Sequence, residues 1–107
     1  MSLEDEFDRI ADAELRHLEK TLGVLDPDEL EVELSQGVLT CTFAGGQKLI
    51  INSHHAARQI WMAAFRTAWH FSPHEVEGAV TWRTDKDELR ETLRKMVKDK
   101  LGREIVI

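Results

Sequence analysis

The sequence predicts an α+β fold, a two-layer α/β sandwich in which N- and C-terminal helices pack on one face of an antiparallel sheet of about six strands. Two patterns predict it: apolar residues recur with helical spacing at both ends of the chain, and they alternate with polar residues in the middle. A length of 107 residues suits one core. We therefore expect a single domain over residues 1–107.

The first helix is predicted over about residues 3–22. Apolar side chains follow i, i+3, i+4, i+7 spacing from Phe7 to Leu22 and form one buried stripe. We expect Gly23 to cap the helix C-terminus, and residues 26–28, an Asp-Pro-Asp sequence, to form a turn.

The middle of the chain has a period of two, which is typical of strands with one wet face. Apolar residues alternate with glutamates between Leu30 and Leu34, and glycine-containing turns follow at residues 36–37 and 44–46. We expect a meander of strands, with a short helix across 55–66 as the alternative to the fourth strand. The predicted strands after the first are 38–43, 48–52, 59–63, 69–71 and 79–83.

The final helix is predicted to start at Asp85, in a D-x-x-E capping box with Glu88, and to end at Gly102. Its buried stripe comprises Leu89, Leu93, Met96, Val97 and Leu101.

The charge is unevenly distributed. Residues 1–33 hold twelve acidic and three basic residues, a net −9 within a chain of net charge −6. Such an acidic half repels nucleic acid and anionic membranes, and it attracts cations or basic protein surfaces. No apolar run approaches the roughly 20 residues of a membrane span, and the acidic N-terminus does not resemble a leader. We expect a cytoplasmic protein, or a matrix protein that has been trimmed.

Carboxylates gather on two neighbouring predicted elements. On a helical wheel, four acids of the first helix share one flank within about 60°, and three glutamates lie on the wet side of the first strand. These residues are Asp5, Asp8, Asp12, Glu19, Glu29, Glu31 and Glu33. Carboxylates without His or Cys suit hard cations that are held loosely with water. The alternative is a solvated face that serves solubility.

A second surface is the uncovered face of the sheet. If Ile60 and Met62 are in the core, the alternation turns Gln59 and Trp61 to solvent. A solvent-facing tryptophan is costly unless it meets a partner, and tryptophan is favoured as an interface anchor. The same alternation exposes Ile50, Asn52 and His70.

The remaining candidates favour no catalytic site. His54 and His55 are interpreted as loop residues, His17 and His74 as single ligands at most, and Cys41 as a core thiol. No nucleophile elbow, P-loop or dinucleotide-binding glycine pattern occurs. We therefore expect no enzyme.

A specific run of residues carries a family resemblance. Gly37-Val38-Leu39-Thr40-x-Thr42-Phe43, followed by Gly46, Ile50-Ile51-Asn52, Gln59-Ile60-Trp61 and His70-Phe71, resembles the frataxin family and its bacterial, CyaY-type members. The resemblance covers nearly the whole chain, including the acidic first helix and the final helix. It implies the same sandwich that the periodicity predicts.

The resemblance also implies a function. It is that of an iron-binding protein of iron–sulfur cluster assembly in the bacterial cytoplasm, which docks on the cysteine desulfurase and scaffold complex and regulates it or supplies iron. The alternatives are a ferroxidase or iron store that oxidises Fe(II), and an acidic adaptor without iron dependence. We expect a monomer, with iron-dependent oligomers as the alternative.

Implied site residues follow from the matching positions. Iron, as Fe2+ or Fe3+, would bind weakly along an acidic ridge of Asp5, Asp8, Asp12, Glu19, Asp26, Asp28, Glu29, Glu31 and Glu33. The partner surface would comprise Asn52, Gln59, Trp61 and His70.

The chain departs from the family pattern at several positions. Lys20, Gly23 and Val24 replace acids at the end of the first helix, which should weaken iron binding there. Ala56 stands where a proline is usual. Trp82 lies two residues from the register set by Leu89, where Val80 would align, so the register of the sixth strand stays open. Thr67-Ala68 replace the small or glycine residues before His70-Phe71.

Overall fold

The structure, a computed structural model, describes the backbone of residues 3–107 and the side chains from Glu6 onward. Helix α1 spans Leu3–Leu22 and helix α2 spans Leu89–Leu101. Between them lie six strands: β1 (Leu30–Ser35), β2 (Val38–Phe43), β3 (Lys48–His54), β4 (Gln59–Ala64), β5 (Thr67–Val76) and β6 (Ala79–Arg83). Within residues 3–107, neither helix is long and apolar enough to cross a membrane.

The six strands form one sheet in the order β1-β2-β3-β4-β5-β6, and every neighbouring pair is antiparallel. The predicted two-helix, six-strand sandwich is therefore confirmed. Three of the hairpins turn through two residues that both have positive φ: Gln36–Gly37, Phe65–Arg66 and Glu77–Gly78. This is the type I′ geometry, which matches the twist of the flanking strands and fixes their register.

One face of the sheet forms the core with the helices. Alternate residues such as Leu39, Cys41 and Phe43 of β2 are buried, together with the α1 stripe. Trp82 is only 1% exposed and packs edge-on against Phe7, with ring centroids 5.9 Å apart. The register of β6 is thereby fixed, with Trp82 pointing into the core. Ile105, in the chain after α2, joins the same core.

Two strands are longer than the sequence predicts. Strand β3 continues to His54 rather than ending at Asn52, and β5 runs from Thr67 to Val76 although only 69–71 was predicted. Pro73 makes the local sequence a poor match to a strand, which is why the prediction was too short. The strand nevertheless continues to Val76, because β5 pairs with β6 over this stretch. The alternative helix across 55–66 is wrong, because residues 55–58 form the turn into β4.

The start of α2 also differs from the prediction. The N-cap is Glu88, whose carboxylate accepts hydrogen bonds from the backbone N–H groups of Arg90 and Glu91, so the capping box at Asp85 is wrong. Thr84 Oγ1 instead accepts from the N–H groups of the turn before the helix. The predicted end is confirmed, since Gly102 caps the helix in the left-handed conformation at φ 76°.

The two helices are joined by an ion pair that the sequence does not predict. Arg90 Nε and Nη2 donate to the two carboxylate oxygens of Glu14, at 2.9 and 2.8 Å. The Glu14 side chain is only 4% exposed, whereas that of Arg90 is 40% exposed. The Glu14 carboxylate raises the pKa of Arg90 through these hydrogen bonds. Among the side chains from Glu6 onward, Glu14 is the one charged group that is buried, and this bidentate pair satisfies it.

The asymmetric burial of this pair predicts unequal losses of stability. Arg90→Ala should lower the free energy of unfolding by about 3 kcal/mol, because it leaves a buried carboxylate without its partner. Glu14→Gln should lower it by only about 1 kcal/mol, because the amide still accepts a hydrogen bond and Arg90 reaches water. Urea unfolding measures both, with the exposed Lys95→Ala on α2 as the control. Equal losses for the two variants would contradict the assignment.

Candidate functional site

Trp61 lies at the centre of a three-ring stack on the uncovered face of the sheet. Register pairs Trp61 with Asn52 of β3 on one side and with His70 of β5 on the other. The His54 ring stacks on the indole at 3.7 Å between centroids with an interplanar angle of 19°, and the His70 ring at 4.1 Å and 12°. The indole is therefore held between two imidazoles and stays half-buried without entering the core.

The polar edge of Trp61 is also fixed. Its Nε1–H donates to Gln59 Oε1 at 2.8 Å, and Gln59 Nε2 donates to Ser72 Oγ at 3.1 Å. The three hydrogen-bonded side chains lie on the same face of the sheet, because the neighbouring residues Ile60 and Phe71 point inward. These hydrogen bonds thus fix the orientation of the indole within the protein itself.

Beside the stack is an open apolar depression of about 210 Å³. Its lining includes Ile50, Asn52, Ala63 and Ala68, and Ile50 is 40% exposed. Asn52 Oδ1 is buried there without a hydrogen-bond partner among the described residues. This face, defined here as the docking face by Asn52, Gln59, Trp61 and His70, thus combines an aromatic platform, an apolar seat and one unsatisfied acceptor.

All four predicted partner-surface residues lie on this face, but sequence reasoning missed some of their neighbours. The sequence predicts His54 in a loop, whereas the structure places it as the last residue of β3, stacked on Trp61. The signal was available, because Ile50, Asn52 and His54 share one phase of the strand alternation. Ser72 was missed because β5 was predicted too short.

The helical part of the acidic ridge is partly paired. Asp8 Oδ1 lies 2.7 Å from Nδ1 of His55, a residue of the β3–β4 turn, and Asp12 Oδ2 accepts from Arg16 Nε at 2.7 Å. Glu19 is half-buried and has no ion pair among the described side chains. The side chain of Asp5, another predicted ligand, lies outside the described residues.

Apart from Asp28, the ridge acids after α1 fall into two groups, those whose carboxylates accept hydrogen bonds from the protein and those on β1 that have no ion pair among the described side chains. Asp26 Oδ1 accepts from the Asp28 backbone N–H at 2.9 Å within the predicted turn. Glu29 is held by Arg103, whose Nη1 and Nη2 donate to its carboxylate at 2.5 and 2.7 Å, and these hydrogen bonds lower the pKa of Glu29. Glu29 is therefore less available to a cation than its exposed neighbours on β1.

Glu31 and Glu33 lie on the uncovered side of the sheet. Glu31 pairs with Thr42 and Glu33 with Thr40, whereas Leu30 points inward and is buried. Both carboxylates are exposed, and neither has an ion pair within the described part of the chain. The structure therefore places these two ridge residues on the same face of the sheet as Trp61.

The separations within the ridge limit its chemistry. Among the side chains described from Glu6 on, no three His, Cys, Asp or Glu groups come together in a way that could hold one metal ion. The described ridge is an extended series of carboxylates, of which Glu19 and Glu29 are half-buried and the others exposed. Such groups bind hard cations weakly, with water completing the coordination shell.

The other candidates are Cys41, His17 and His74. Cys41 is 1% exposed in the core, and burial raises the pKa of its thiol to about 12. The prediction of a core thiol is confirmed. His17 Nε2 is buried on α1 without a hydrogen-bond partner among the described residues, and His74 is exposed on β5.

The fold and the two surfaces define a small sandwich with an open sheet face flanked by carboxylates, and its family follows from comparison with known proteins. The family model of the frataxin-like domain matches residues 1–104. The iron-sulfur cluster assembly protein CyaY of Dechloromonas aromatica is 36% identical over 107 residues, 97% of each chain. The chain therefore belongs to the frataxin-like family.

A solved structure agrees on the fold. Frataxin from Psychromonas ingrahamii superposes with a TM-score of 0.79, covering 95% of this chain and 94% of the other. At 20% sequence identity, this match supports the fold alone. The predicted membership of the frataxin family is confirmed by the family model and the CyaY relative together.

The hydrogen bond to Gln59 predicts the behaviour of the Trp61 indole. Gln59→Ala should raise the hydrogen-exchange rate of the Trp61 Nε1–H about fivefold, since one ordinary hydrogen bond is lost. Amide and indole exchange followed by NMR measures this rate. Gln47→Ala, in the β2–β3 turn, is the matched control and should leave it unchanged. An unchanged rate in Gln59→Ala would mean that the indole is held by stacking alone.

The buried thiol predicts a loss of stability at alkaline pH. Because burial raises the pKa of Cys41 to about 12 from an ordinary value of 9.0, folding favours the protonated thiol, and that stability is lost as pH rises between these values. At pH 10 the loss should be about 1.4 kcal/mol relative to pH 7. Urea unfolding of the natural chain and of Cys41→Ala at both pH values isolates this contribution. The same pH dependence in both proteins would contradict it.

Proposed function

We propose that this protein acts in iron–sulfur cluster assembly in the bacterial cytoplasm. In this proposal it docks on the cysteine desulfurase and scaffold complex through the docking face. It binds iron weakly along the acidic ridge, and it either regulates the complex or supplies iron to it. The single observation that carries the docking role is Trp61, which is held in a ring stack on the face that no helix covers.

The CyaY relative supports the choice of pathway. That protein is named for iron-sulfur cluster assembly, and it aligns with this chain over nearly its full length. A full-length relationship favours a shared role more than a match confined to one motif would. We therefore assign the pathway by this relationship and the manner of action by the two surfaces.

The physical case for docking rests on preorganisation. Binding normally costs the entropy of ordering side chains at the interface. Here Gln59 and two imidazoles already hold the indole, so little of that cost remains for Trp61. The adjoining apolar depression offers a place for a partner's side chain. A central, ordered tryptophan beside a pocket is the usual composition of a binding hot spot.

The physical case for iron rests on unpaired oxygen ligands. Glu19, Glu31 and Glu33 have no ion pair among the described side chains, so a cation need not displace a basic residue to reach them. Asp8, Asp12 and Glu29 would each have to exchange a His or Arg partner for the metal. We therefore expect iron to favour the unpaired glutamates and to bind weakly.

We also propose that the protein has no catalytic activity of its own. The only cysteine is buried with a raised pKa, which disfavours a thiolate nucleophile. The described ridge carboxylates are exposed or half-buried, and none of them lies in the enclosed, apolar site that a catalytic acid or base needs. A ferroxidase would need several ligands that converge on one ion.

A binding experiment tests the docking role. Trp61→Ala should weaken the affinity for a purified cysteine desulfurase–scaffold complex by about 30-fold, the effect of losing a hot-spot side chain. Isothermal titration calorimetry measures the affinity. Val106→Ala, which removes an exposed apolar side chain from the C-terminal segment, is the control and should change it less than twofold. Equal affinities for the two variants would remove Trp61 from the interface.

An iron titration tests the ridge. Fe(II) added anaerobically to labelled protein should broaden the NMR signals of Glu19, Glu31 and Glu33 before those of the paired acids. Glu31→Gln and Glu33→Gln should each reduce the affinity in part, and the double variant should reduce it further. Asp99→Asn, an exposed acid of α2, is the control. Saturable Fe(II) oxidation that one substitution abolishes would favour the ferroxidase instead.

A further inference from the structure

The uncovered face of the sheet carries a second depression, of about 430 Å³, beside the docking face at β5 and β6. The inward positions of Phe71 and Trp82 fix the phase of both strands, so His70, Ser72 and His74 all point to the uncovered face. Register places Arg83 opposite Ser72. Thr84 and Asp85 complete the lining.

This depression is rich in hydrogen-bond donors. The Ser72 hydroxyl accepts from Gln59 Nε2, and the Thr84 hydroxyl accepts from two backbone N–H groups, so each keeps its own proton to donate. Arg83 is exposed and forms no ion pair among the described residues, which leaves its guanidinium free to donate. Each of the two imidazoles adds at least one N–H.

The only acidic group in the lining is Asp85. The set of donors therefore exceeds the acceptors in the lining, so a ligand that displaces water from the depression must supply acceptors. A planar carboxylate matches the fork of a guanidinium, with the hydroxyls as further donors. Because the depression shares His70 with the Trp61 stack, a partner seated on Trp61 would cover it.

We infer that the Arg83 depression receives an Asp or Glu carboxylate of the protein that docks on Trp61. This inference rests on the proposed function and adds a chemical requirement to it: the partner presents an acidic side chain next to the group that contacts the indole. The uncovered face of the sheet is then graded in charge, from Glu31 and Glu33 on β1, across the docking face, to Arg83 on β6.

The test compares charge changes at and away from the depression. The purified cysteine desulfurase–scaffold complex is titrated into the natural protein and into three variants, and calorimetry gives each affinity. Arg83→Gln should weaken binding about tenfold, the effect of losing a charge-assisted hydrogen bond. Asp85→Asn should strengthen it severalfold, because it removes from the lining a negative charge that would repel an incoming carboxylate. Lys95→Gln, exposed on α2, makes the same charge change as Arg83→Gln on the other layer and should alter binding less than twofold.

The possible outcomes separate the two proposals. If Trp61→Ala weakens binding as expected while Arg83→Gln behaves like Lys95→Gln, the carboxylate receptor is wrong and the proposed function stands. Weaker binding by Asp85→Asn would equally overturn the receptor, because the partner would then be using that acid. If the natural protein does not bind the complex at all, the proposed function fails and the inference fails with it. Unchanged thermal midpoints of the variants ensure that the comparison reports on binding.

Discussion

The structure depends on one constraint: a six-stranded sheet has two faces, and the helices cover only one of them. Side chains alternate between the two faces along every strand. When one residue points into the core, the residues before and after it in the strand therefore point to solvent. Ile60, Met62, Phe71 and Trp82 occupy the core, and the intervening positions present Trp61, His70 and Arg83 outward. The docking face is therefore the geometric counterpart of the hydrophobic core.

The cross-strand neighbours of Trp61 explain how the structure accommodates a tryptophan on the uncovered face. Exposed aromatic surface is normally unfavourable, but the two imidazoles cover the faces of the indole and Gln59 satisfies its edge. The surface thus keeps a large flat group ordered without burying it. Rigidity here comes from cross-strand neighbours, which the register of the sheet places at stacking distance.

The sequence predicted what periodicity encodes and missed what depends on contacts between distant residues. The buried stripe of α1 and the outward position of Trp61 could be predicted, because each follows from a repeat in the local sequence. The full length of β5 depends on pairing with β6 across Pro73, which no local pattern reports. The same holds for Glu14, which looks like an interruption of an apolar stripe until Arg90, 76 residues later, pairs with it. The N-cap of α2 is Glu88 rather than the predicted Asp85, because Asp85 lies in a turn that hydrogen bonds to Thr84 hold before the helix begins.

The sequential order of the strands also bears on how the chain assembles. Each strand pairs with the next one along the chain through turns of two to four residues, so the sheet closes small loops and pays little chain entropy at each step. Joining α1 to α2 closes a far larger loop and is the slowest-forming type of contact. A chain truncated at either end would therefore retain a sheet able to form while its apolar inner face lacked a cover, and aggregation rather than simple unfolding is the expected fate of such a fragment.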